Sequence, residues 1–359
     1  MRNARPSDHG IGMDLHEPVV KHTGNKTTHA KRGKIAFCAK TALELAHILN
    51  DEQADPPRAL ITSLPAHAPS DIELMEALCS LGFPNLLERI SPPAHLLFET
   101  GSHHRKTPFR IPRRCADLPK GRTFLRLGEN TFAASPNLAL CEIADGHGSL
   151  FDLLLLLWEA CGSYRTRLTW TGTMYETDPL TSVRSLERFV TDNPRIHGAR
   201  KIKRALRYVR DGSASTRETQ IALFMGLPLR YGGFNLGLPL MNYRVEASPQ
   251  ARAIGGRSHF RCDLCWPEAK IDVEYQSDES HEGKLMRIKD SRRTNALISM
   301  GWNVINITNN EAESVNTLER ISDRVRRLLR KRPHRPSRDL DIKRLELHRG
   351  LGIVKDGFD

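Results

Sequence analysis

The stretch from residue 259 to residue 308 constrains the fold more than any other. Within it, His259-Phe-Arg-Cys-Asp-Leu-Cys-Trp266 and Ile271-Asp-Val-Glu-Tyr-Gln276 flank Pro267-Glu-Ala-Lys270, so two alternating runs meet across a four-residue connection. That pattern predicts a β-hairpin. Pairing Trp266 with Ile271 places Asp263 opposite Glu274, with Cβ atoms about 4.5–5.5 Å apart on one face. In the second run Ile271, Val273 and Tyr275 share one face while Asp272, Glu274 and Gln276 share the other. One side builds a core and the other gathers carboxylates. Facing carboxylates repel, which leaves two readings. Either a cation sits between them, for which oxygen donors suit Mg²⁺ or Mn²⁺, or the acids form the solvated face of an edge hairpin.

A polar loop carrying His281 follows, and then a helix over 285–300. It sets Leu285, Ile288, Leu297 and Met300 on one face and Asp290 and Arg293, spaced i,i+3, on another. Gly301 ends that helix, and Trp302-Asn-Val-Ile-Asn-Ile-Thr308 reads as a buried strand. Residues 271–308 therefore form a β-α-β unit whose first strand carries Glu274.

The joint order Asp263-x-x-Trp-Pro, Val273-Glu-Tyr-Gln-Ser-Asp-x-x-His281, Asp290-x-x-Arg293-x-x-x-Leu297-x-x-x-Gly-Trp302 and Val304-Ile-x-Ile-Thr308 resembles the very-short-patch-repair-like branch of the PD-(D/E)xK nuclease superfamily, over about residues 213–330. The resemblance implies a restriction-endonuclease-like central mixed sheet flanked by helices, with Asp263 and Glu274 holding Mg²⁺ or Mn²⁺ for hydrolysis of DNA phosphodiester bonds. It gives His281 a proton-transfer role and has Asp290 and Arg293 orient the site; a plain Asp290–Arg293 helix pair is the alternative for those two. Gln276 stands where many relatives have Lys, and it can position water but carries no charge. The superfamily's first helix often supplies an acid, and Glu218 matches that position. Ser215-Thr-Arg-Glu218 is also a capping box, which by itself accounts for Glu218. Upstream, Phe132-Ala-Ala-Ser-Pro, residues 153–158 and Cys161-Gly-Ser-Tyr-Arg165 are similar to segments accompanying such domains in actinobacterial proteins, some with an antitoxin-type label.

The chain has 54 Lys+Arg against 42 Asp+Glu, a formal +12. That balance favours a polyanionic partner such as DNA, although a basic proteome gives it too. A helix over 198–210 turns Ile202, Leu206 and Val209 inward and leaves Arg200, Lys201, Lys203, Arg204, Arg207 and Arg210 outward. Such a face either follows a phosphate backbone or is an ordinary solvated surface. No apolar run reaches membrane-spanning length, and the polar residues 1–33 read as a disordered arm, not a secretory signal. Seven scattered cysteines fit a reducing cytoplasm; Cys262-x-x-Cys265 lacks a second ligand pair and reads as strand packing, not zinc.

The expected class is α/β. An N-terminal α+β domain spans 34–180, a helical connector 181–212, the nuclease-like domain 213–332 and a charged tail 333–359. The first of these has a strand at 34–38, helices at 41–49 and 71–80, connections through 118, hairpin strands near 124 and 131, and helices at 136–144 and 149–161. A further helix runs over 312–331, and a short one lies near 338–348. The functional expectation is a metal-dependent endonuclease-like protein of repair or defence. The alternative is a catalytically impaired DNA-binding or antitoxin-like regulator on the same fold, and the oligomeric state stays open.

Overall fold

Ile35, Ala36 and Phe37 are buried on every side because their strand, β1 (Ile35–Phe37), lies inside the largest of the sheets among the described residues. The computed structural model describes residues 33–99, 105–115, 117–146, 148–276, 284–335 and 337–353. The arm expected over 1–33 lies outside these apart from Gly33, as does His281. The larger sheet is mixed. Its order is β2 (Arg58–Ala59), β5 (Phe124–Arg126), β6 (Thr131–Ala134), β1, β3 (Ala94–Glu99) and β4 (Arg110–Cys115). β1 runs parallel to β6 and antiparallel to β3, and β3 runs parallel to β4.

β3 and β4 fall where the sequence suggests only connections. β3 is an inner strand, so Leu96, Leu97 and Phe98 are all buried and no alternation announces it. β4 is an edge strand, which is where a sheet tolerates Pro112 and the charged Arg113 and Arg114.

Helices cover the sheet. α1 (Ala39–Asp51) buries Leu43, Leu45 and Ile48; α2 (Asp71–Cys79) starts at a capping box formed by Ser70 and Glu73; α3 (Leu86–Arg89) is a single turn. α4 (Pro136–Gly146) and α5 (Leu150–Ala160) follow, the latter capped by Ser149. A two-stranded ribbon, β7 (Tyr164–Arg165) with β8 (Met174–Tyr175), precedes α6 (Val183–Asp192). α7 (Ala199–Ala205) passes into a 3₁₀ turn over Leu206–Tyr208. It is thus shorter than the helix expected over 198–210.

α8 (Thr216–Gly226) is buried from Glu218 onward and leads into the smaller sheet. There β9 (Leu240–Glu246), α9 (Pro249–Gly255), β10 (His259–Trp266), β11 (Ile271–Gln276), α10 (Lys284–Ser299) and β12 (Asn303–Thr308) follow in turn, with strand order β12-β11-β10-β9. The β10–β11 hairpin pairs Trp266 with Ile271, Cys265 with Asp272 and Leu264 with Val273, the register that the spacing predicts. β11 and β12 are parallel across α10, completing the β-α-β unit. α10 departs from expectation in its contacts. It is buried through Ala296 and Leu297, which pack with Ala251 and Phe260, while Ile288 is exposed.

α11 (Asn309–Glu313) and α12 (Val315–Leu328) return toward α13 (Arg338–Gly350), the helix foreseen near 338–348, whose Leu340 and Leu347 are buried. One apolar core runs from Ile35 through Trp158, Phe224 and Val273 to Ile353. Among the described residues, no helix is long and apolar enough to cross a membrane.

Candidate functional site

β10 changes faces in mid-strand. Phe260, Cys262 and Cys265 join a small apolar cluster with Val245, Leu297 and Trp302, whereas Leu264 and Trp266 join the main core. Strict alternation would separate Cys262 from Cys265, so the side-chain pattern slips by one at Asp263. Backbone pairing is interrupted there as well. The β9–β10 ladder skips the pair between Cys262–Tyr243 and Leu264–Met241, and Asn242, the residue left over on β9, has φ +48°. A left-handed asparagine at an irregular strand position is the usual accommodation.

The slip frees the Asp263 side chain to act where the backbone does not. Its Oδ2 accepts a hydrogen bond from the Tyr275 amide at 3.0 Å, just beyond the final backbone pair, Leu264 with Val273. Across from it on β11, Glu274 is gripped by Arg293 of α10. Arg293 Nη1 donates to Oε2 at 2.5 Å, Nη2 donates to Oε1, and Nη2 also reaches the Arg261 carbonyl.

α8 contributes Glu218. Ser215 caps this helix as its spacing suggests, accepting from the Glu218 amide at 3.1 Å. The Glu218 carboxylate, however, reaches past the cap residue. Oε2 accepts from the Ala214 amide at 3.0 Å and from Asn242 Nδ2 at 2.9 Å, while Ser215 Oγ donates to Oε1 at 3.0 Å. The left-handed Asn242 therefore ties the first turn of α8 to the irregularity opposite Asp263.

Asp272 completes the set. It is wholly buried on the same face as Glu274, and neither of its oxygens has a hydrogen-bond partner among the described residues. Ligand atoms of Cys262, Asp272 and Glu274 lie within 4.8 Å of one another.

Burial, reinforced by the charges of Glu274 and Glu218, holds the Asp263 carboxyl well above the usual carboxylate range. Burial and then Glu274 push Asp272 up to about 12. Burial also raises Glu218, against the hydrogen bonds it accepts. The Cys262 thiol is raised by its contact with Cys265 and by burial. Asp263 is thus set against Glu274 and Glu218, and the buried Asp272 against Glu274, with the Arg293 guanidinium paired to Glu274 among the described residues. Burying that excess negative charge is costly unless protons or a cation offset it.

The structure brings together Asp263, Glu274, Arg293 and Glu218 of the residues singled out from sequence. It adds Asp272 and Cys262. Asp272 was legible in part, because alternation sets it on the face of Glu274; Cys262 was not, because only the slip turns it there. Gln276 is exposed at the end of β11. Asp290 is exposed on α10, and Arg293 is engaged by Glu274 instead of forming the alternative i,i+3 helix pair. Arg200, Lys201, Lys203, Arg204 and Arg207 are exposed on α7 and its 3₁₀ extension, and α7 packs on α4, α5 and α6. Lys201 Nζ also donates to the Asp145 carbonyl at 2.8 Å.

No protein family, curated protein or solved structure matches this chain.

Proposed function

We propose that the protein is a metal-dependent endonuclease-like hydrolase of DNA phosphodiester bonds, built on a restriction-endonuclease-like arrangement of α8, β9–β12 and α10. The observation that carries this reading is a carboxylate cluster in which Asp263 feels the charges of Glu274 and Glu218, the buried Asp272 feels that of Glu274, and Arg293 pairs with Glu274. The donor set fits a divalent ion: neither Asp272 oxygen has a hydrogen-bond partner among the described residues, and hard carboxylate oxygens suit Mg²⁺ or Mn²⁺. Asp263 and Glu274 would hold the ion, with Glu218 and Asp272 beside them. When bound, it would supply Lewis-acid polarisation of the scissile phosphate and ease deprotonation of water.

The chain's own groups do the positioning. The Tyr275 amide fixes Asp263, Asn242 fixes Glu218, and Arg293 fixes the plane of Glu274 through a two-point guanidinium fork. Gln276, exposed where β11 ends, would orient water by hydrogen bonding in this reading. The cationic face of α7 offers backbone-phosphate contacts.

One observation favours the second reading, a catalytically impaired DNA-binding or antitoxin-like regulator. Arg293 already occupies both oxygens of Glu274, a tethered cation where an ion would bind. A nicking assay on supercoiled plasmid with Mg²⁺ or Mn²⁺ separates the two. The nuclease reading expects nicking by the wild type and its loss in Asp263→Ala and Glu274→Ala with DNA binding retained. Binding without nicking by the wild type selects the regulator, and undiminished nicking by both variants removes the proposed site.

A further inference from the structure

A second charge pattern lies between α12, α13 and the turn at residues 234–237. The cleft there has a volume of about 510 Å³, and six arginine and lysine side chains line it against two carboxylates, Glu319 and Asp323. The cations are held in place from beneath. Arg326, only 4% exposed, donates Nη2 to the Phe234 carbonyl at 2.8 Å and Nη1 to Asp323. Lys331 Nζ donates to the Leu236 carbonyl at 2.7 Å and the Asn235 carbonyl at 3.4 Å, and His334 Nε2 donates to the Phe234 carbonyl at 3.2 Å. Arg344, 5% exposed, lies over the Phe234 ring at 4.5 Å from its centroid and spends Nη1 on Glu319 at 2.6 Å.

Three successive carbonyls and one aromatic ring therefore fix a crown of positive groups, and the acids beside them, Asp323 on Arg326 and Glu319 with the more distant Asp341 on Arg344, offset only those two. The exposed Arg320, Arg327 and Arg335 add charge around the cleft. Crowding is felt within it: burial and then Arg326 lower the pKa values of both Lys331 and His334. A packing interface between two helices gains nothing from such mutual repulsion, whereas an anion of high charge density relieves it.

We infer that this cleft is a binding site for a phosphate group, the terminal phosphate either of a nucleic-acid strand or of a free nucleotide. A carboxylate is planar and is satisfied by one guanidinium fork. Donors from α12, α13 and the segment between them approach from different directions, which suits a tetrahedral oxyanion with three free oxygens. The side chains are already ordered by the 234–236 carbonyls and the Phe234 ring, so less conformational freedom is lost when the ligand arrives. The inference rests on these cations alone and is independent of the carboxylate cluster.

Calorimetric titration of the full chain in chelator and low salt tests it with four probes: inorganic phosphate, thymidine monophosphate, a trinucleotide with a 5′-phosphate and the same trinucleotide with a 5′-hydroxyl. The expected result is saturable 1:1 binding of inorganic phosphate, unchanged in Asp263→Asn and weakened at least tenfold in the doubly substituted Arg320→Gln, Arg327→Gln protein. Both substituted arginines are exposed, so that protein should melt with the wild type. Lys331→Met gives a second loss at the turn. A preference for the 5′-phosphorylated trinucleotide over its 5′-hydroxyl form and over the mononucleotide identifies a strand end; equal affinity for mononucleotide and phosphorylated trinucleotide identifies a free nucleotide. Absence of saturable binding by all phosphorylated probes overturns the inference, as does binding that the arginine substitutions leave unchanged.

Discussion

Arg293 on α10 and Glu274 on β11 form a two-point ion pair in which the carboxylate is 8% exposed and the guanidinium 27%. It joins the crossover helix of the β-α-β unit to its first strand. Among the described residues it also supplies the positive charge that acts on Asp263, Asp272 and Glu274.

Removing that cation while leaving the acid should be costly. Arg293→Met is expected to lose about 3–5 kcal/mol in chelator near neutral pH, because an unpaired carboxylate remains buried. Arg293→Lys should recover part of this, since it keeps the charge without the fork. Free Mn²⁺ at about 100 times its dissociation constant should return roughly 2.7 kcal/mol to Arg293→Met. The wild type should gain less, because its ion competes with Arg293 for Glu274. Urea unfolding with and without Mn²⁺ measures both effects; equal gains would show that Arg293 and the ion do not share Glu274.

Local pattern made the hairpin, its register and the β-α-β unit legible, since period-2 alternation around Pro267-Glu-Ala-Lys270 fixes which residues face one another. It could not show that Arg293 turns to Glu274 instead of Asp290, because that choice depends on where α10 lies over the sheet. The slip at Asp263 was equally hidden: it depends on Asn242, twenty-one residues away and unremarkable in its own stretch. β3 and β4 escaped because an inner strand loses alternation and an edge strand can carry proline and arginine.

Glu218 serves the helix start and, in the proposed function, the site; one substitution separates the roles. Glu218→Gln keeps an oxygen to accept from Ala214 or Asn242 but removes the charge. Cap and fold should survive, with a change well below the roughly 0.5–2 kcal/mol of a lost cap, while nicking should fall steeply. Ser215→Ala should do the reverse, costing about that cap energy with little effect on nicking once the protein is folded. Equal nicking by wild type and Glu218→Gln would leave Glu218 a capping residue only.

The α7 face makes a separate, ionic-strength prediction. If Arg200, Lys203 and Arg204 each neutralise one phosphate of duplex DNA, replacing all three with Gln should reduce the slope of log affinity against log salt by about 0.9 per contact. These side chains are exposed, so the melting temperature should hardly move. Fluorescence anisotropy over a salt series checks this; an unchanged slope would assign α7 to an ordinary solvated surface.

Asp272 and Glu274 stand two residues apart on one strand face, yet neutralising them should have opposite effects. Spacing alone suggests that Glu274→Gln relieves repulsion of about 0.2–1 kcal/mol with the facing Asp263. The fork with Arg293 reverses that sign, so in chelator Glu274→Gln should be less stable than wild type at every pH from 5 to 8. Neither Asp272 oxygen has a hydrogen-bond partner among the described residues, and burial followed by Glu274 lifts its carboxyl to about 12. The folded chain therefore keeps a proton that the unfolded chain releases above about pH 4, and stability should fall as pH rises, by about 1.4 kcal/mol per pH unit for this group. Asp272→Asn cannot titrate. It should match the wild type near pH 4 and exceed it increasingly toward pH 8, leaving a shallower slope from Asp263 and Glu218, which burial also raises. Urea unfolding of the three proteins at pH 5, 6, 7 and 8 decides the matter: parallel pH profiles for wild type and Asp272→Asn would mean that Asp272 does not hold a proton in the folded state, and a stabilised Glu274→Gln would mean that the Arg293 fork does not outweigh the repulsion.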